Sequence, residues 1–519
     1  MEKRLRFTPY FLAILTALVL TGSGCGDEFY DQNAGDRITP DKHYQSIVDA
    51  SVSLQGAIIP YQDVLPRLYI LDGLRSDMMD VTSNADAYLR EINEQVFNVS
   101  NPYTNPADLY KVIININEVL ANIDNVGLKD RNFDDFFSHY FKGALIGMRS
   151  YTYLTLVRLY GKAAYIEDNL VALPSNLNQL VITKDVMLDT LINQVTPYIH
   201  DNTAGTQYAE LRIGHFVNTK ALLGELYLEK NMYAEAANYL KLACESYFNL
   251  SALLKVDKSY QYIGWQNIHL NAEGGFLENL AVIPFSSNEG QYNPLVKWIN
   301  HSNDYMVKPT KVLVDSFMAQ VPAAAGPLGD IWRGTGITFG IDTLAQLTDT
   351  TYLTETYITK YEIDKSDPFS SDIIISRAAD IHLLLAEALN RLGDPTSQKY
   401  ALMLLNQGVN KENPKPAIYS KWANNMGIRG RVALASRVVP AEVTGEDATR
   451  MIEDFIIAER ALELAYEGKR WNDLVRIAER RGEPEYLANK VAAKFAGTPM
   501  YDQVHAKLMN PANWYLPFE

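Results

Sequence analysis

Residues 459–474 read ERALELAYEGKRWNDL and are the most informative stretch of this 519-residue chain. Three glutamates recur in it at every fourth position: Glu459, Glu463 and Glu467. Residues four apart share one face of a helix, where like charges repel by about 0.2–0.5 kcal/mol per pair. Basic partners are therefore expected nearby, and Arg460 and Arg470 are candidates. The pattern predicts a buried or half-buried ion-pair lattice that holds the last helices together without any catalytic role.

The same stretch predicts a boundary between two helices. Gly468 is placed to end the first helix. Asn472 or Asp473 is placed to assist the start of the second, because short polar side chains accept hydrogen bonds from the first backbone N–H groups.

Upstream of this stretch, the dominant hydrophobic period is helical from Asp41 onward. The clearest unit is a helix pair over residues 216–248 with a turn at 229–231. Its small and packing residues are Leu223, Gly224, Tyr227, Ala236, Leu240 and Ala243. Their spacing is typical of a tetratricopeptide repeat. A second pair over 375–409 and a long helix near 136–160 follow the same pattern. Because such pairs bury their faces only by stacking, the sequence predicts a helical superstructure.

Between about residues 251 and 371 the helical period fades, and glycines and prolines interrupt the chain. Residues 280–285 and 351–362 are predicted as short strands. Three of the six tryptophans lie in this region: Trp265, Trp298 and Trp332. A long loop-rich insertion in a helical scaffold is more often functional than filler, although a small ordinary subdomain is the alternative.

The amino end differs from the rest of the chain. Basic residues at 3, 4 and 6 precede an apolar run over 7–20, which is typical of a signal peptide and shorter than the roughly 20 residues of a bilayer span. Small residues at 22–24 then lead to Cys25. We expect Cys25 to be the first mature residue and to carry acyl chains, followed by a polar tether over 25–40. The alternative is an ordinary cysteine near a conventional cleavage site.

Composition narrows the class of function. With 47% hydrophobic and 21% charged residues, the chain is an ordinary globular protein and can bury a core. The formal net charge of −15 repels the phosphate backbone of nucleic acids. We therefore do not expect nucleic acid to be a partner. Two cysteines cannot build a disulfide framework, and Cys244 is predicted to be a core thiol.

Enzyme signatures are missing from the sequence. The eight histidines are scattered singly, so the H-E-x-x-H spacing of a zinc enzyme does not occur. No nucleophile elbow, phosphate-binding loop or dinucleotide fingerprint follows a strand-like run. We therefore expect no metal, no cofactor and no catalytic residue. Glycosidase carboxylates stay possible, because two acids that meet only in space leave no spacing signature.

Several blocks follow one another along the chain: residues 25–31, 40–44, 109–120, 143–161, 381–389, 459–474 and 514–517. In sequence and order they resemble the SusD/RagB family of outer-membrane lipoproteins. Residues 459–474 are the most specific, because they match the family pattern ER-x-x-EL-x-x-EG-x-R-W-x-DL.

This resemblance implies an all-α, SusD-like fold in which tetratricopeptide-type helical repeats form a superhelical scaffold around a loop-rich insertion with a few short strands. The expected divisions are a signal peptide at 1–24, a lipidated tether at 25–40, a helical scaffold at 41–250, a ligand-binding insertion at 251–375 and a C-terminal helical part at 376–519.

The resemblance also implies a function. The protein is expected to be lipid-anchored at the cell surface, to bind oligosaccharides without cleaving them, and to deliver them to a SusC-type TonB-dependent outer-membrane transporter. The alternatives are peptide capture, a surface glycoside hydrolase or lyase, and a periplasmic helical scaffold without a small ligand.

Candidate ligand contacts follow from the chemistry of sugars, which present apolar faces and hydroxyl rims and so need aromatic platforms beside polar groups. The first candidate zone holds Tyr69, Arg75, Asp77 and Tyr88. Charge-assisted contacts to hydroxyls are expected of its arginine and aspartate, although a local Arg–Asp turn is the alternative. The second zone, in the insertion, holds Trp265, Trp298, Tyr305 and Trp332.

Overall fold

The computed structural model describes residues 43–167, 180–199, 216–245, 265, 268, 278–301, 304–345, 352–362, 367–412, 422 and 425–518. The expected signal peptide and tether, with Cys25, lie outside the described residues. In the part of the chain that is described, no helix is both long and apolar enough to cross a bilayer. The divisions expected at 250 and 375 stay predictions.

Helices make up most of the described chain, as the sequence predicts. They are α1 (Ile47–Ile58), α2 (Tyr61–Arg75), α3 (Ala87–Asn93), α4 (Ala107–Asn122), α5 (Asp124–Gly127), α6 (Asp135–Tyr160), α7 (Lys184–Val195), α8 (Thr219–Glu229), α9 (Tyr233–Glu245), α10 (Val296–Ile299), α11 (Lys311–Met318), α12 (Ala378–Arg391), α13 (Pro395–Leu405), α14 (Val409–Glu412), α15 (Ile428–Arg431), α16 (Gly445–Glu463), α17 (Arg470–Arg481), α18 (Pro484–Ala492) and α19 (Met500–Leu508).

The strands are short and pair in twos, all antiparallel. They are β1 (Met79–Val81) with β5 (Val307–Pro309), β2 (Lys162–Ala164) with β3 (Val181–Thr183), β4 (Asn279–Ile283) with β8 (Ile373–Arg377), and β6 (Phe339–Ala345) with β7 (Tyr352–Ile358). The strands predicted at 280–285 and 351–362 are confirmed as β4 and β7. One boundary differs from expectation: residues 375–377 belong to β8 and not to the second helix pair, because they form a ladder with β4.

The predicted helix pair over 216–248 is confirmed as α8 and α9. Asn218 caps α8 by accepting a hydrogen bond from the Ala221 N–H. Gly224 lets the two helices approach closely, since a Cβ there would lie 2.4 Å from Leu240 Cγ. Helix α9 packs on α12, which packs on α13 and α16. The pairs therefore stack into one continuous helical layer, as expected of repeats that cannot bury their faces alone.

The turn between α16 and α17 corrects two expectations. Gly468 does not end α16, which stops at Glu463. Instead Gly468 has φ of 69° and lies against the Tyr69 ring, where a Cβ would meet Cδ1 at 2.7 Å. Asn472 and Asp473 do not cap α17 either. The Asp72 carboxylate of α2 accepts the N–H groups of Arg470 and Trp471, at 3.2 and 2.9 Å.

Three glutamates of residues 459–474, at positions 459, 463 and 467, lie in a buried ion-pair lattice, as predicted. Glu463 contacts Arg333, Arg377 and Arg431 at 2.6–2.7 Å. The full lattice joins the cations Arg333, Lys360, Arg377, Arg429 and Arg431 to the anions Glu278, Asp330, Glu459, Glu463 and Glu467. Each of these side chains is at most 7% exposed, and cations and anions match one for one.

The prediction that Arg460 and Arg470 pair with these glutamates was wrong. Arg460 pairs with Asp380 at 2.8 Å and Asp473 at 2.7 Å, and Arg470 pairs with Asp77 at 2.7 Å. The reason is geometric: Arg460 follows Glu459 directly in α16 and so points to a different face of the helix. The lattice cations come instead from segments far away in sequence, which fixes the central insertion against α16.

Close packing of α8 on α9 generates a test at Gly224. Replacing it by alanine is expected to lower the free energy of unfolding by about 1–3 kcal/mol, because the added methyl group overlaps Leu240. Gly56 in α1 is the matched control, since a Cβ there meets nothing within 4 Å. Gly56→Ala is expected to raise the free energy of unfolding by about 0.5–1 kcal/mol. Urea denaturation followed by circular dichroism measures both; equal changes would contradict the packing described.

The lattice generates a second test at Glu463. Burial raises the pKa of its carboxyl, but Arg431, Arg377 and Arg333 outweigh burial and hold the pKa well below its usual range. Glu463→Gln leaves buried guanidinium groups uncompensated and is expected to cost about 3–5 kcal/mol at pH 7. Glu442 is exposed, so Glu442→Gln is expected to stay within about 0.5 kcal/mol of the parent.

The same pair of variants also gives a pH signature. Because the folded-state pKa of Glu463 is depressed, its stabilising effect is present above its unfolded pKa, about 4.3, and is lost as pH falls through the acid range. The stability difference between parent and Glu463→Gln is therefore expected to shrink below about pH 4.3. A difference that does not change with pH would contradict an ionised Glu463.

Candidate ligand-binding site

Three residues of the first predicted zone lie inside the protein. The Tyr69 hydroxyl donates to the Ile374 carbonyl at 2.6 Å. Arg75 donates to the Trp514 carbonyl at 2.6 Å and lies over the Trp471 ring. Asp77 binds Arg470, so it does not form a local pair with Arg75. A ligand role for these three side chains stays a prediction, and the contacts they make in the structure are all internal.

Two tryptophans of the insertion also pack internally. Trp265 is buried, with the Arg431 guanidinium 4.7 Å above its ring. Trp332 is half-buried and packs against the same small apolar cluster as Trp265. The structure therefore brings these two together, beside the ion-pair lattice.

The segment that leads into α3, the helix that carries Tyr88, hydrogen-bonds to Tyr305 directly and to Trp298 through Tyr103. Asp86 caps α3 and accepts a weak hydrogen bond from the Tyr103 hydroxyl. That hydroxyl in turn accepts the indole N–H of Trp298 at 3.0 Å. The Tyr305 carbonyl accepts the Thr82 hydroxyl at 2.6 Å. Tyr88 itself is 40% exposed on α3, whereas Trp298 and Tyr305 are largely buried.

Tyr305 belongs to a group of five side chains, of which sequence reasoning missed the other four. We call it the hairpin surface, and it consists of His301, Tyr305, Asp342, Glu355 and Tyr357. The register of β6 and β7 sets Asp342 directly opposite Glu355, and Gly340 opposite Tyr357. His301 Nε2 lies 3.5 Å from the Asp342 carboxylate and 3.9 Å from that of Glu355.

The rings of the hairpin surface are held by close packing. His301 stacks on Tyr357, with centroids 3.9 Å apart and planes within 9°. Tyr357 also lies close to Gly340, where a Cβ would meet the ring at 2.1 Å. Tyr305 meets His301 edge-on at 5.2 Å. The tyrosines are therefore fixed in position, which limits the side-chain entropy that ligand binding would cost.

Electrostatics give the hairpin surface both donors and acceptors. The carboxylates of Asp342 and Glu355 are 43% and 52% exposed, so they can accept hydrogen bonds from a ligand. Burial and the neighbouring Glu355 raise the pKa of Tyr305 to about 12, which keeps its hydroxyl protonated. Aromatic faces next to charged acceptors suit a ligand with apolar faces and hydroxyl groups.

A second exposed aromatic pair lies elsewhere in the insertion. Tyr292 and Phe369 are 57% and 40% exposed and meet at right angles, with centroids 5.7 Å apart. Among the described residues, no cluster of histidine, cysteine and acidic side chains is arranged to hold a metal. Cys244 is buried, as predicted, and burial raises the pKa of its thiol well above the usual range.

Comparison with known proteins identifies the relatives of this chain. The model of the SusD family matches residues 337–518. A SusD-like protein of Formosa agariphila is 40% identical over 121 residues, which is 23% of this chain. That match spans only 20% of the length of the relative.

Solved structures resemble most of the chain. A SusD superfamily protein from Bacteroides vulgatus has a TM-score of 0.66 at 16% identity, covering 90% of this chain and 93% of that one. A SusD-like carbohydrate binding protein from Bacteroides fragilis has a TM-score of 0.59 at 15% identity, covering 85% and 88%. A laminarin binding SusD-like protein has a TM-score of 0.57 at 16% identity, covering 89% and 97%. The chain therefore has the fold of these SusD-like proteins, and its residues 337–518 match the model of the SusD family.

Proposed function

We propose that the protein binds an oligosaccharide at the hairpin surface and does not cleave it. The observation that carries this proposal is the convergence of rings and exposed carboxylates from two separate parts of the chain: His301 and Tyr305 on one side, and the β6–β7 hairpin on the other. Tyr88, which is 40% exposed on α3, is a further candidate contact. Trp298 is largely buried, and its indole donates to the Tyr103 hydroxyl.

The chemistry of the surface favours a sugar as ligand. His301 presents an aromatic ring that is 25% exposed, and carboxylates of half-exposed acids lie beside it. A pyranose would pack its C–H face on the ring while its hydroxyls donate to Asp342 and Glu355. The SusD-like neighbours that are described as carbohydrate binding and laminarin binding support a glycan over a peptide.

The open position of the acids favours binding over catalysis. A glycosidase works with two carboxyl groups that flank the scissile bond, one on either side of it. Asp342 and Glu355 instead project from one face of a hairpin and remain about half exposed. A surface glycoside hydrolase is therefore the less favoured alternative, and peptide capture is the alternative within binding.

The same proposal includes the cellular location of the protein and the transporter to which it delivers the oligosaccharide. Acylation at Cys25 would attach the protein to the outer membrane, with residues 25–40 as a tether that places the folded part at the cell surface. Its partner would be a SusC-type TonB-dependent barrel that receives the oligosaccharide. The SusD fold and the sequence of the amino end support this assignment.

Binding is tested by removing the exposed ring. His301→Ala is expected to weaken the affinity for a laminarin oligosaccharide, or for whichever member of an oligosaccharide panel binds, about tenfold, because the stacking face is lost. Tyr239→Ala is the matched control, since it removes a ring that stacks on Tyr227 on the helical scaffold. Isothermal titration calorimetry measures both variants, and circular dichroism confirms that they are folded.

Three outcomes would contradict the proposal. Equal weakening by His301→Ala and Tyr239→Ala would mean that the hairpin surface is not the site. Loss of binding in Tyr292→Ala with normal binding in His301→Ala would move the site to the Tyr292–Phe369 pair. Chromatography of the ligand after long incubation is expected to show no shortened products, and any turnover would overturn the non-catalytic assignment.

A further inference from the structure

The hairpin surface has an unusual distribution of charge. Asp342 and Glu355 are direct partners in the register of β6 and β7, so their side chains leave the hairpin on the same face. Side chains at directly opposed positions have Cβ atoms about 4.5–5.5 Å apart, and like charges there destabilise a sheet. The acid pair therefore costs the hairpin some stability.

Little positive charge offsets this pair. His301 Nε2 lies 3.5 Å from Asp342 and 3.9 Å from Glu355, and its imidazole is charged only when it is protonated. In the part of the chain that the structure describes, no lysine or arginine lies within ion-pair distance of either acid. The buried lattice differs in this respect, because its cations and anions match one for one.

A third acid, Glu362, lies beside the same rings. Its carboxylate accepts the backbone N–H of His301 at 3.2 Å. Burial, followed by Asp342 and Glu362, raises the pKa of the Tyr357 hydroxyl. Burial and neighbouring carboxylates likewise raise the pKa of Tyr305 to about 12. The rings that would contact a ligand therefore lie in a negative electrostatic potential.

A ligand can reach both members of the acid pair. The side chains of Asp342 and Glu355 are 43% and 52% exposed, and the His301 side chain beside them is 25% exposed. A charged group on a sugar that packs on the His301 ring would lie a few ångströms from the two carboxylates. At about 4 Å, one pair of unit charges changes an affinity about fivefold even at the dielectric constant of water, so two acids change it about tenfold or more.

We propose that Asp342 and Glu355 make the hairpin surface selective for the charge of the glycan. Neutral glycans bind, glycans with amino groups bind more tightly, and glycans that carry carboxylate or sulfate groups are rejected. Hydroxyl and ammonium groups donate hydrogen bonds to carboxylates, whereas carboxylate and sulfate groups have no proton to donate and are repelled. This inference rests on the proposed function of the hairpin surface and names the class of glycan that the surface accepts.

Matched ligands test the selectivity. A laminarin oligosaccharide, or the panel member that binds, is compared with two derivatives of the same length and linkage, one oxidised to carboxylates at C6 and the other aminated at C6. At pH 7 and low salt, the oxidised form is expected to bind the parent about tenfold more weakly than the neutral form, and the aminated form about fivefold more tightly. Isothermal titration calorimetry measures all three, and equal affinities would overturn the proposal.

A double variant assigns the effect to the two acids. Asp342→Asn combined with Glu355→Gln keeps carbonyl acceptors and removes both charges, so the ratio of neutral to oxidised affinity is expected to fall to about twofold. Glu442→Gln combined with Asp447→Asn is the matched control, because it removes the same charge from exposed acids at the amino end of α16. There the ratio is expected to stay near that of the parent. Equal ratios in the two double variants would overturn the assignment to the hairpin surface.

Salt separates repulsion from steric exclusion. Between about 0.01 and 1 M sodium chloride, the screening length falls from about 30 to about 3 Å. The affinity of the parent for the oxidised form is therefore expected to rise toward that for the neutral form, and a ratio that does not change would contradict the proposal. The double variant at the hairpin is expected to melt no lower than the parent, since it relieves the like-charge pair. If it fails to fold, the salt dependence of the parent decides.

The proposed function and this inference fail in different ways. If the neutral glycan binds and His301→Ala weakens it, but ligand charge has no effect, the proposed function stands and the charge selectivity is overturned. If no member of the oligosaccharide panel binds, both are overturned.

Discussion

The structure depends on the buried carboxylate of Glu463, which contacts three arginines that come from three different parts of the chain. Removing so many charges from water is costly, and only close pairing with hydrogen bonds offsets that cost. The lattice meets this condition because its cations and carboxylates are equal in number and lie at ion-pair distance. Its energetic consequence is asymmetric: the complete lattice need not be more stable than an apolar core, but a lattice that lacks one member leaves a buried charge without compensation.

The ion-pair lattice also positions the candidate site, because it holds the β6–β7 hairpin in place. Lys360 follows β7 by two residues and contacts Glu467 at 2.6 Å, while Arg333 precedes β6 and contacts Glu459 and Glu463. Both ends of the hairpin are therefore held against the C-terminal helices. The buried charges thus hold the fold together, whereas Asp342 and Glu355 on the same hairpin stay about half exposed, at the proposed ligand-binding surface.

Local features could be predicted from the sequence, and long-range ones could not. The α8–α9 pair was predictable because its packing residues lie within thirty positions of one another. The existence of the lattice could be predicted, because three glutamates on one helix face require basic partners. The identity of those partners could not, because Arg333 lies 126 residues from Glu459 and no sequence spacing links the two. Apart from Tyr305, the residues of the hairpin surface were missed, because the pairing of Asp342 with Glu355 depends on strand register. Tyr69, Arg75 and Asp77 were chosen for their chemistry, and sequence cannot distinguish a buried polar group with an internal partner from one that faces solvent.

Native-state hydrogen exchange tests most directly whether the lattice joins the insertion to the scaffold as one cooperative unit. Amides of α16, of α15 and of the segment around Lys360 are compared by mass spectrometry as denaturant is raised toward the unfolding transition. If the lattice acts as described, all three segments open with the same free energy. If α15 and the Lys360 segment open at a free energy several kcal/mol lower while α16 stays protected, these two segments are held by something other than the ion pairs.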